Sequence, residues 1–509
     1  MVQTIAWGTV LLAVCLPAMA AEKRKEDAKL YDETYRPQFH YTARKGWIND
    51  PIGLVFYQGE YHLFNDHNPA SCRFPGGRTS GEQSHWSHAV STDLMHWKHM
   101  PIAVFPDANG ACWSGSGVVD WKNTAGFQAG KDKTLVLIYT SAGRTFGQSL
   151  VYSTDRGRTW KKYEHNPVLK QLAGGNRDPK VFWHEPIKKW VMALYLRGHE
   201  YALLTSSDLK QWAKLCDVKH PSAGECPDFF ELPILDAQGK STGGGRDNTR
   251  WVFWGGNGTY LLGRFDGKTF TPASGPHKTE WGRSCYAAQT WSDIPPEDGR
   301  RLIIGWMRGG EFPGMPFNQQ MTIPRAVTLR RTDQGPRLLL YPVREIENVH
   351  GRKRTWSNLA LGPGDNPLAG LKGKLWDIDT VIEPGKAEQI GFDVRGNRIA
   401  YSAKDRKLTA LGSSAPLKMQ DGRITLRIVA DVASIEVFAN GGQVVMSFSL
   451  PIDPKNASLS AFAAGGKARV DSLTVWTCKS VWPQRAPPAR QRKDERSCSR
   501  KGAADWGQS

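Results

Sequence analysis

The chain has 509 residues, of which 40% are hydrophobic and 23% are charged. It is too long for one compact core, and its composition excludes a mostly disordered chain, a collagen-like repeat and a sustained coiled coil. The 20 Trp, 52 Gly and 31 Pro residues favour short strands and tight turns over long helices.

The N-terminus has the pattern of a secretory signal. Residues 5–16 are apolar, and the small-x-small sequence Ala18-Met19-Ala20 follows them. This pattern predicts a cleavable signal peptide at residues 1–20 and hence a secreted or periplasmic protein. The apolar stretch is shorter than the roughly 20 residues that a spanning helix needs, so no membrane span is expected.

The formal net charge is +18, and its densest cluster lies at the C-terminal end. The cluster consists of Arg485, Arg490, Arg492, Lys493, Arg496, Arg500 and Lys501. It follows several prolines, which is typical of a solvated tail, so residues 479–509 are predicted to be a basic, disordered tail. The sequence contains no nucleic-acid-binding motif, and no nucleic-acid partner is expected.

The eight cysteines form no CxxC pair, so no structural zinc site is predicted. One of them, Cys15, would leave with the signal peptide. The seven that remain are an odd number, and their pairing cannot be read from the sequence.

A Ser-x-Asp motif recurs in the first two thirds of the chain. Its aspartates are Asp93, Asp155 and Asp208, and Asp266-Gly267 with Phe270 is a weaker fourth copy that lacks the serine. The four aspartates are 53 to 62 residues apart. Three of the four copies carry a Trp a few residues further on, and the copies follow apolar, strand-like runs. A period of this size is typical of four-stranded propeller blades, and it predicts a five-bladed β-propeller over residues 36–342. The alternative is that the motif is only a favoured hairpin turn.

The composition changes after Pro342. Residues 343–357 are charged and are predicted to be a linker. Further on, Ile424, Leu426 and Ile428 alternate with other residues, and Asn440-Gly441 predicts a hairpin turn. Residues 358–478 are therefore predicted to be a β-sandwich. The expected fold is all-β, a five-bladed β-propeller followed by a C-terminal β-sandwich.

Three acidic residues stand just before predicted strands of successive blades: Asp50, Asp178 and Glu225. Each has a glycine before it and a proline within two residues after it. Each alone would be interpreted as a turn residue. Because propellers bind ligands where the innermost strands begin, the three acids are expected to meet at one end of the channel. Two close carboxyls and a third polar anchor suit glycosidic bond cleavage.

The motifs around these acids resemble those of glycoside hydrolase family 32, which includes invertases, levanases and inulinases. The three main motifs are Trp47-Ile48-Asn49-Asp50-Pro51, Arg177-Asp178-Pro179 and Glu225-Cys226. Further matches are Tyr61-His62-Leu63-Phe64, Asn68-Pro69, His88-Ala89-Val90-Ser91, Asp93-Leu94, His96-Trp97, Trp113-Ser114-Gly115-Ser116, Pro324-Arg325, Glu436-Val437-Phe438 and Asn440-Gly441. The family fold is a five-bladed propeller with a β-sandwich.

The resemblance implies a retaining hydrolase of β-fructofuranosidic bonds in fructans (levan or inulin) or sucrose. Asp50 would be the nucleophile, Glu225 the acid/base, and Asp178 would hold the fructosyl hydroxyls and stabilise the transition state. Arg177 would keep Asp178 ionised. No metal or cofactor is implied.

The resemblance also assigns residues to substrate binding: Trp47, Asn49, Asp66, Trp113, Ser114 and Arg177. Asn49 is expected to donate a hydrogen bond to Asp50, and Trp86 is expected in the core. Two positions depart from the family pattern: Ile52 replaces the usual Asn, and Asp66 replaces a Gln that contacts the fructosyl unit. Asp66 would add a charge to the pocket.

Three alternatives stay open. A fructosyltransferase of the same fold would transfer fructose to a sugar rather than to water. A sialidase-like propeller is suggested by the box from Ser153 to Trp160, although that box is a structural turn. A non-catalytic fructan-binding protein is the third. The sequence does not separate levan, inulin and sucrose, exo and endo attack, or oligomeric states.

Overall fold

A computed structural model describes residues 30–75, 82–243 and 245–482. These residues are mainly strands, with four short 3-10 helices at Glu185–Ile187, Arg246–Asn248, Arg344–Val349 and Asn440–Gly442. None of the helices in this part of the chain has the length and apolarity needed to cross a membrane. The predicted signal peptide lies outside the described residues.

Residues 46–342 form five successive antiparallel groups of four strands, called blades 1 to 5. Blade 1 contains β1 (Gly46–Tyr57), β2 (Glu60–Asn68), β3 (His85–Ser91) and β4 (Lys98–Val104). Blade 2 contains β5 (Ala111–Asp120), β6 (Thr134–Ala142), β7 (Phe146–Ser153) and β8 (Lys161–Lys162). Blade 3 contains β9 (Arg177–His184), β10 (Lys189–Arg197), β11 (Glu200–Ser206) and β12 (Ala213–Lys219).

The last two blades are joined to each other and to the first. Blade 4 contains β13 (Asp228–Leu235), β14 (Thr249–Trp254), β15 (Thr259–Phe265) and β16 (Phe270–Lys278). Blade 5 contains β17 (Tyr286–Thr290), β18 (Arg301–Trp306), β20 (Arg325–Thr332) and β21 (Gly335–Pro342), with β19 (Phe317–Asn318) between β18 and β20 in sequence. Parallel pairing links β13 to β20, and β19 to β1, so the ring closes through β19.

The strands in the middle of the blades are buried on both faces. Every residue of β6 is buried, for example, because its sheet packs between two neighbouring blades. Apolar runs such as Leu135–Tyr139 therefore show no alternation with polar residues. The burial of such runs fixes how the blades stack, and with it the positions of the strand ends that build the site.

The Ser-x-Asp motifs are turns that join the outer strands of a blade. Asp155 Oδ1 accepts hydrogen bonds from the backbone N–H groups of Arg158 and Thr159. The carboxylates of Asp93, Asp208 and Asp266 accept equivalent bonds from their own turns. The motif therefore has a structural role, since its carboxylate replaces a backbone acceptor at the turn.

The C-terminal domain has two packed sheets. The first has the order β22, β32, β23, β28, β29, β30, and the second the order β27, β26, β25, β24, β31. The strands are β22 (His350–Leu361), β23 (Trp376–Glu383), β24 (Gln389–Val394), β25 (Asn397–Ser402), β26 (Lys407–Ala410), β27 (Ser413–Pro416), β28 (Ile424–Asp431), β29 (Ser434–Ala439), β30 (Val444–Ser449), β31 (Leu459–Ala464) and β32 (Ala468–Cys478). The all-β fold of a propeller followed by a sandwich is as predicted.

Two predicted boundaries differ from the structure. Strand β22 begins at His350, inside the predicted linker, and pairs with β32. Its charged residues are exposed because it is an edge strand, so its sequence resembles a linker. At the C-terminus, Val481 donates a backbone hydrogen bond to Gln38, and the Trp482 indole donates one to Pro37. The predicted tail is therefore ordered up to Trp482, and residues 483–509 lie outside the described part.

A buried group of charges joins the two domains. His40, which precedes β1, hydrogen-bonds to Asp431 at 2.8 Å and to Glu436 at 2.9 Å. Burial alone would lower the pKa of His40, but the hydrogen bonds and charges of these two carboxylates outweigh it and raise the pKa to about 9. The imidazolium is therefore a cation shared by both domains. Arg325 from β20 adds a second ion pair to Glu436.

We predict that His40 makes the stability of the protein depend on pH. Because its pKa rises from 6.5 when unfolded to about 9 when folded, its contribution is full below about pH 6.5 and is lost as the pH rises through 9. His40→Gln should therefore lower Tm most at about pH 6, and the difference from wild type should shrink by about pH 9.5. Thermal unfolding over this range measures it.

The matched control is His165→Gln, because the His165 side chain is 72% exposed. Its Tm should follow the wild-type curve at every pH. A Tm difference for His40→Gln that stays constant from low to high pH would contradict the assignment.

Candidate active site

A cavity of about 450 Å³ lies at one end of the propeller channel, where the first strands of the blades begin. The three acids predicted from the sequence, Asp50, Asp178 and Glu225, all line it. The other lining residues are Asn49, Asp66, Phe74, Pro75, Ser84, Trp113, Ser114, Phe146, Gly174, Gly175, Arg177, Tyr286 and Trp306. Asp50 of blade 1, Asp178 of blade 3 and Glu225, which precedes blade 4, thus face one space of small-molecule size, although their blades are not successive as predicted.

Irregular backbone turns the acids toward the cavity. The pairing of β1 with β2 shifts register between Ile48 and Pro51, so Asp50 sits at a bulge. Asp178 and Cys226 adopt left-handed conformations, with φ of 61° and 57°. Such conformations cost of order 1 kcal/mol for non-glycine residues and concentrate at functional sites.

Cys226 connects two of the acids. Its backbone N–H donates to Asp178 Oδ2 at 3.1 Å, and its thiol donates to Asp50 Oδ2 at 3.4 Å. One residue therefore fixes Asp50 of blade 1 and Asp178 of blade 3 relative to each other. Glu225 precedes it directly in the chain.

Glu225 is held by two side chains. Arg177 donates to Glu225 Oε2 through Nη2 at 2.5 Å and through Nε at 2.9 Å. The Tyr286 hydroxyl donates to the other oxygen, Oε1, at 3.0 Å. Arg177 also stacks on Tyr195, with 4.5 Å between its guanidinium carbon and the ring centre. Both carboxyl oxygens of Glu225 are therefore fixed in direction.

Arg177 forms an ion pair with Asp178, but its hydrogen bonds go to Glu225, and it does not keep the pKa of Asp178 low as expected. Arg177 Nε lies 3.7 Å from Asp178 Oδ2, farther than from Glu225. Burial, followed by the charge of Glu225, raises the pKa of Asp178 to about 7, and Arg177 offsets this only in part. The reason is that one guanidinium serves two carboxyls and bonds directly to only one of them.

Asp50 has three hydrogen-bond donors. Ser114 Oγ lies 2.7 Å from Asp50 Oδ2, Asn49 Nδ2 lies 3.3 Å from Oδ1, and the Cys226 thiol is the third. Burial and the charge of Glu225 raise its pKa, while these hydrogen bonds act in the opposite direction. The donors thus favour a carboxylate in a place that otherwise disfavours charge.

Asp66 lies beside Asp50 and is only 5% exposed. Its Oδ2 is 2.8 Å from Ser114 Oγ and 3.3 Å from Asn49 Nδ2, and its Oδ1 is 3.4 Å from Ser84 Oγ. Burial and the charge of Asp50 raise the pKa of Asp66 well above its ordinary value. The cavity therefore contains a fourth carboxyl group.

The tryptophans occupy different places. Trp113 lines the cavity and packs against Phe146, with 5.2 Å between ring centres. Trp47 is not a lining residue; its indole donates to Asn49 Oδ1 at 3.1 Å, and its ring packs against Trp306. Its ring also packs against Phe74, so three lining residues contact it. Trp86 is fully buried, as expected for a core residue.

Sequence reasoning missed Tyr286, Trp306 and Phe146 as cavity residues. None of the three lies in an acidic Gly/Pro motif, and Tyr286 meets Glu225 across 61 positions of sequence. The pairing of β17 with β18 places Tyr286 opposite Trp306, and this was not visible as a motif.

A second cavity, of about 550 Å³, lies at the other ends of the same strands. Its partly buried carboxyl, Asp293, accepts hydrogen bonds from the backbone of Val119 and the indole of Trp121, and Lys180 pairs with Asp228 at 3.3 Å. Its charged groups are thus occupied by structural contacts.

In the described ranges no group of three or more His, Cys, Asp or Glu could hold a metal ion, and the six described cysteines are free.

Comparison with known proteins identifies the family. The model of the glycosyl hydrolases family 32 N-terminal domain matches residues 40–342, and that of the family 32 C terminal matches residues 345–477. A levanase of Bacillus subtilis (strain 168) is 39% identical, covering 95% of this chain and 75% of the levanase. An extracellular exo-inulinase of Aspergillus ficuum is 30% identical, covering 89% of this chain and 96% of the inulinase.

Solved structures agree with these matches. The exo-inulinase of Aspergillus awamori superposes with a TM-score of 0.78 at 26% identity, covering 89% of this chain and 100% of that one. A fructofuranosidase of Schwanniomyces occidentalis has the same fold, with a TM-score of 0.76 at 24% identity, covering 88% of this chain and 98% of that one. Both family models together span nearly all of the two domains, and the chain belongs to glycoside hydrolase family 32.

Proposed function

We propose that the protein hydrolyses β-fructofuranosidic bonds in fructans with retention of configuration, with Asp50 as nucleophile, Glu225 as acid/base and Asp178 as the residue that holds fructosyl hydroxyls. The observation that carries this proposal is the meeting of these three acids, from different blades, around one cavity. A pair of carboxyls is what a retaining glycosidase requires.

In the first step, Asp50 attacks the anomeric carbon of a fructosyl unit. The bond from that carbon to the leaving oxygen breaks, and Glu225 gives its proton to the oxygen. The product is a fructosyl ester of Asp50. In the second step, Glu225 takes a proton from water, the water oxygen attacks the anomeric carbon, and Asp50 leaves as a carboxylate.

The neighbours of the acids support these roles. Ser114 and Cys226 donate to Asp50 Oδ2, so the attacking carboxylate is held in direction and is stabilised before it reacts. Tyr286 and Arg177 fix the two oxygens of Glu225 while it exchanges its proton. Such preorganisation removes motions that would otherwise cost free energy in the transition state.

We also propose that the enzyme releases single fructose units and is exported. The relatives named as levanase and extracellular exo-inulinase support fructan as the substrate and attack at chain ends. A cavity of about 450 Å³ can hold the terminal part of a fructan chain, whereas attack within the chain would need an open cleft. The N-terminal pattern at residues 1–20 supports export.

Incubation with levan, inulin and sucrose should give free fructose as the first product from at least one fructan. Chromatography of the products at early times measures it, with Asp50→Asn as the inactive control. Release of fructo-oligosaccharides would contradict attack at chain ends. Formation of longer oligosaccharides from concentrated sucrose would indicate transfer instead of hydrolysis, and no fructose from any substrate would contradict the function.

The roles of Asp50 and Glu225 can be separated by the leaving group of the substrate. Glu225→Gln should lower kcat/KM on fructan by about 10³-fold, but much less on an aryl β-fructofuranoside, whose leaving group needs no proton. Asp50→Asn should lose activity on both, because no nucleophile remains. Asp217→Asn, at an exposed carboxyl (64%), is the matched control. Equal losses on both substrates for Glu225→Gln would contradict its role as acid.

Tyr286→Phe should lower kcat on fructan by about tenfold. The substitution removes one hydrogen bond to Glu225 Oε1, and about 1.4 kcal/mol corresponds to that factor. Steady-state kinetics measures it. Tyr152→Phe, on β7 and outside the cavity lining, is the control and should match wild type. A kcat for Tyr286→Phe within twofold of wild type would show that this contact does not orient the acid.

A further inference from the structure

Two carboxyl groups compete for one hydroxyl hydrogen beside the nucleophile. Ser114 Oγ lies 2.7 Å from Asp50 Oδ2 and 2.8 Å from Asp66 Oδ2. Both distances are those of good hydrogen bonds. A serine hydroxyl has a single hydrogen and can donate only once, although it can accept from other groups. The two contacts can therefore both be hydrogen bonds only if one of the carboxyls carries a proton of its own.

The surroundings of the two carboxyls show which one holds that proton. The Cys226 thiol lies 3.4 Å from the Asp50 oxygen that faces Ser114 and 3.6 Å from Asp178 Oδ2, so its single hydrogen can be donated to Asp50 but has no contact with Asp66. Asp66 shares the amide of Asn49 at 3.3 Å and has only the more distant Ser84 besides. The titratable groups that act on Asp66 from the neighbouring strands are Asp50 on β1, Asp178 on β9 and the Cys112 thiol on β5.

None of these groups is a cation, and among the described residues the ion pairs at the cavity are those of Arg177 with Glu225 and Asp178, so neither Asp66 nor Asp50 has a cationic partner there. Asp66 is the more deeply buried of the two, at 5% exposure, whereas Asp50 is partly exposed. A buried carboxyl that faces other carboxylates and lacks a cation holds its proton, since ionisation would bring a further uncompensated charge into a poorly solvated place. A neutral aspartic acid at such a site is a good hydrogen-bond donor.

We propose that Asp66 is a protonated carboxylic acid whose O–H donates a hydrogen bond to Ser114 Oγ. The single hydroxyl hydrogen of Ser114 then points to Asp50 Oδ2 and stabilises the nucleophile as a carboxylate. No covalent bond changes, and no proton leaves Asp66 during the reaction. Asp66 is a positioning residue, because it acts on the nucleophile through Ser114. The proposal rests on the assignment of Asp50 as nucleophile.

The hydrogen-bond chain from Asp66 through Ser114 to Asp50 also explains how an acidic residue is tolerated next to the nucleophile. An ionised Asp66 would repel the carboxylate form of Asp50 and favour its protonation, which would remove the nucleophile. A protonated Asp66 adds no charge and orders the hydrogen bonds in one direction, from Asp66 through Ser114 to Asp50. The negative charge that the sequence analysis expects Asp66 to add to the pocket is then absent.

The test compares wild type with Asp66→Asn in two measurements. Asparagine is neutral at every pH and can donate to Ser114 through its amide. The first measurement is the position of the acidic limb of the kcat/KM profile on fructan, which reports the ionisation of Asp50 in the free enzyme. If Asp66 is already neutral, the limb should move by less than about 0.3 pH units. If Asp66 is ionised, removal of its charge should lower the limb by about one unit or more.

The second measurement needs no activity. The infrared difference spectrum of wild type minus Asp66→Asn, with both proteins labelled with carboxyl-13C aspartate at neutral pH, should contain the C=O stretching band of a protonated carboxylic acid. A band from Asp178, whose pKa is also raised, is present in both proteins and cancels. Asp236→Asn, at a turn acid outside the cavity, is the control and should leave the band in place. A spectrum that Asp66→Asn does not change overturns the proposal, as does a downward shift of the acidic limb.

The two proposals fail in different ways. If the wild-type protein releases no fructose from any fructan, the proposed function is wrong, and the infrared band still decides whether Asp66 is protonated. If fructan is hydrolysed but the infrared band of a protonated Asp66 is absent, the proposed function stands and the proposed protonation of Asp66 is wrong.

Discussion

The site depends on the crowding of four carboxyl groups around the guanidinium of Arg177 at one end of the propeller. Asp50, Asp66, Asp178 and Glu225 line the same cavity, and Arg177 is the cation that bonds to one of them. Burial and mutual repulsion raise the pKa of the three aspartates. The carboxyls therefore cannot all ionise independently. The hydrogen bonds donated by Ser114, Cys226 and Tyr286 favour the ionised form of the carboxyls that accept them.

The interface between the domains also contains buried carboxyl groups, but there cations compensate their charge. There the carboxylates meet cations: His40 lies between Asp431 and Glu436, and Arg325 pairs with Glu436. Although burial alone would raise the pKa of both carboxyls, His40 lowers that of Asp431, and Arg325 with His40 lowers that of Glu436. Buried charges with matched partners hold the domains together, whereas at the channel end four carboxyls face Arg177, which pairs with only two of them.

The sequence predicts the architecture and the meeting of three acids at one cavity, because both leave local signals. The turn aspartates such as Asp155 repeat at blade spacing, and Asp50, Asp178 and Glu225 stand in Gly/Pro motifs in or just before the first part of a strand. Other features arise only from long-range packing. The contact of Tyr286 with Glu225 and the partner choice of Arg177 depend on how neighbouring blades meet. The start of β22 was missed because an exposed edge strand has the composition of a linker.

The central claim is that Asp50 forms a covalent bond to fructose. Glu225→Gln should form that bond with an aryl β-fructofuranoside and break it slowly, since no general base activates water in the second step. The direct measurement is mass spectrometry of this variant, quenched in acid during turnover and digested with protease. We predict that the peptide containing Asp50 gains the mass of one fructosyl unit. A fructosyl adduct on a different peptide, or its absence under conditions in which the aryl group is released in a burst, would contradict the account.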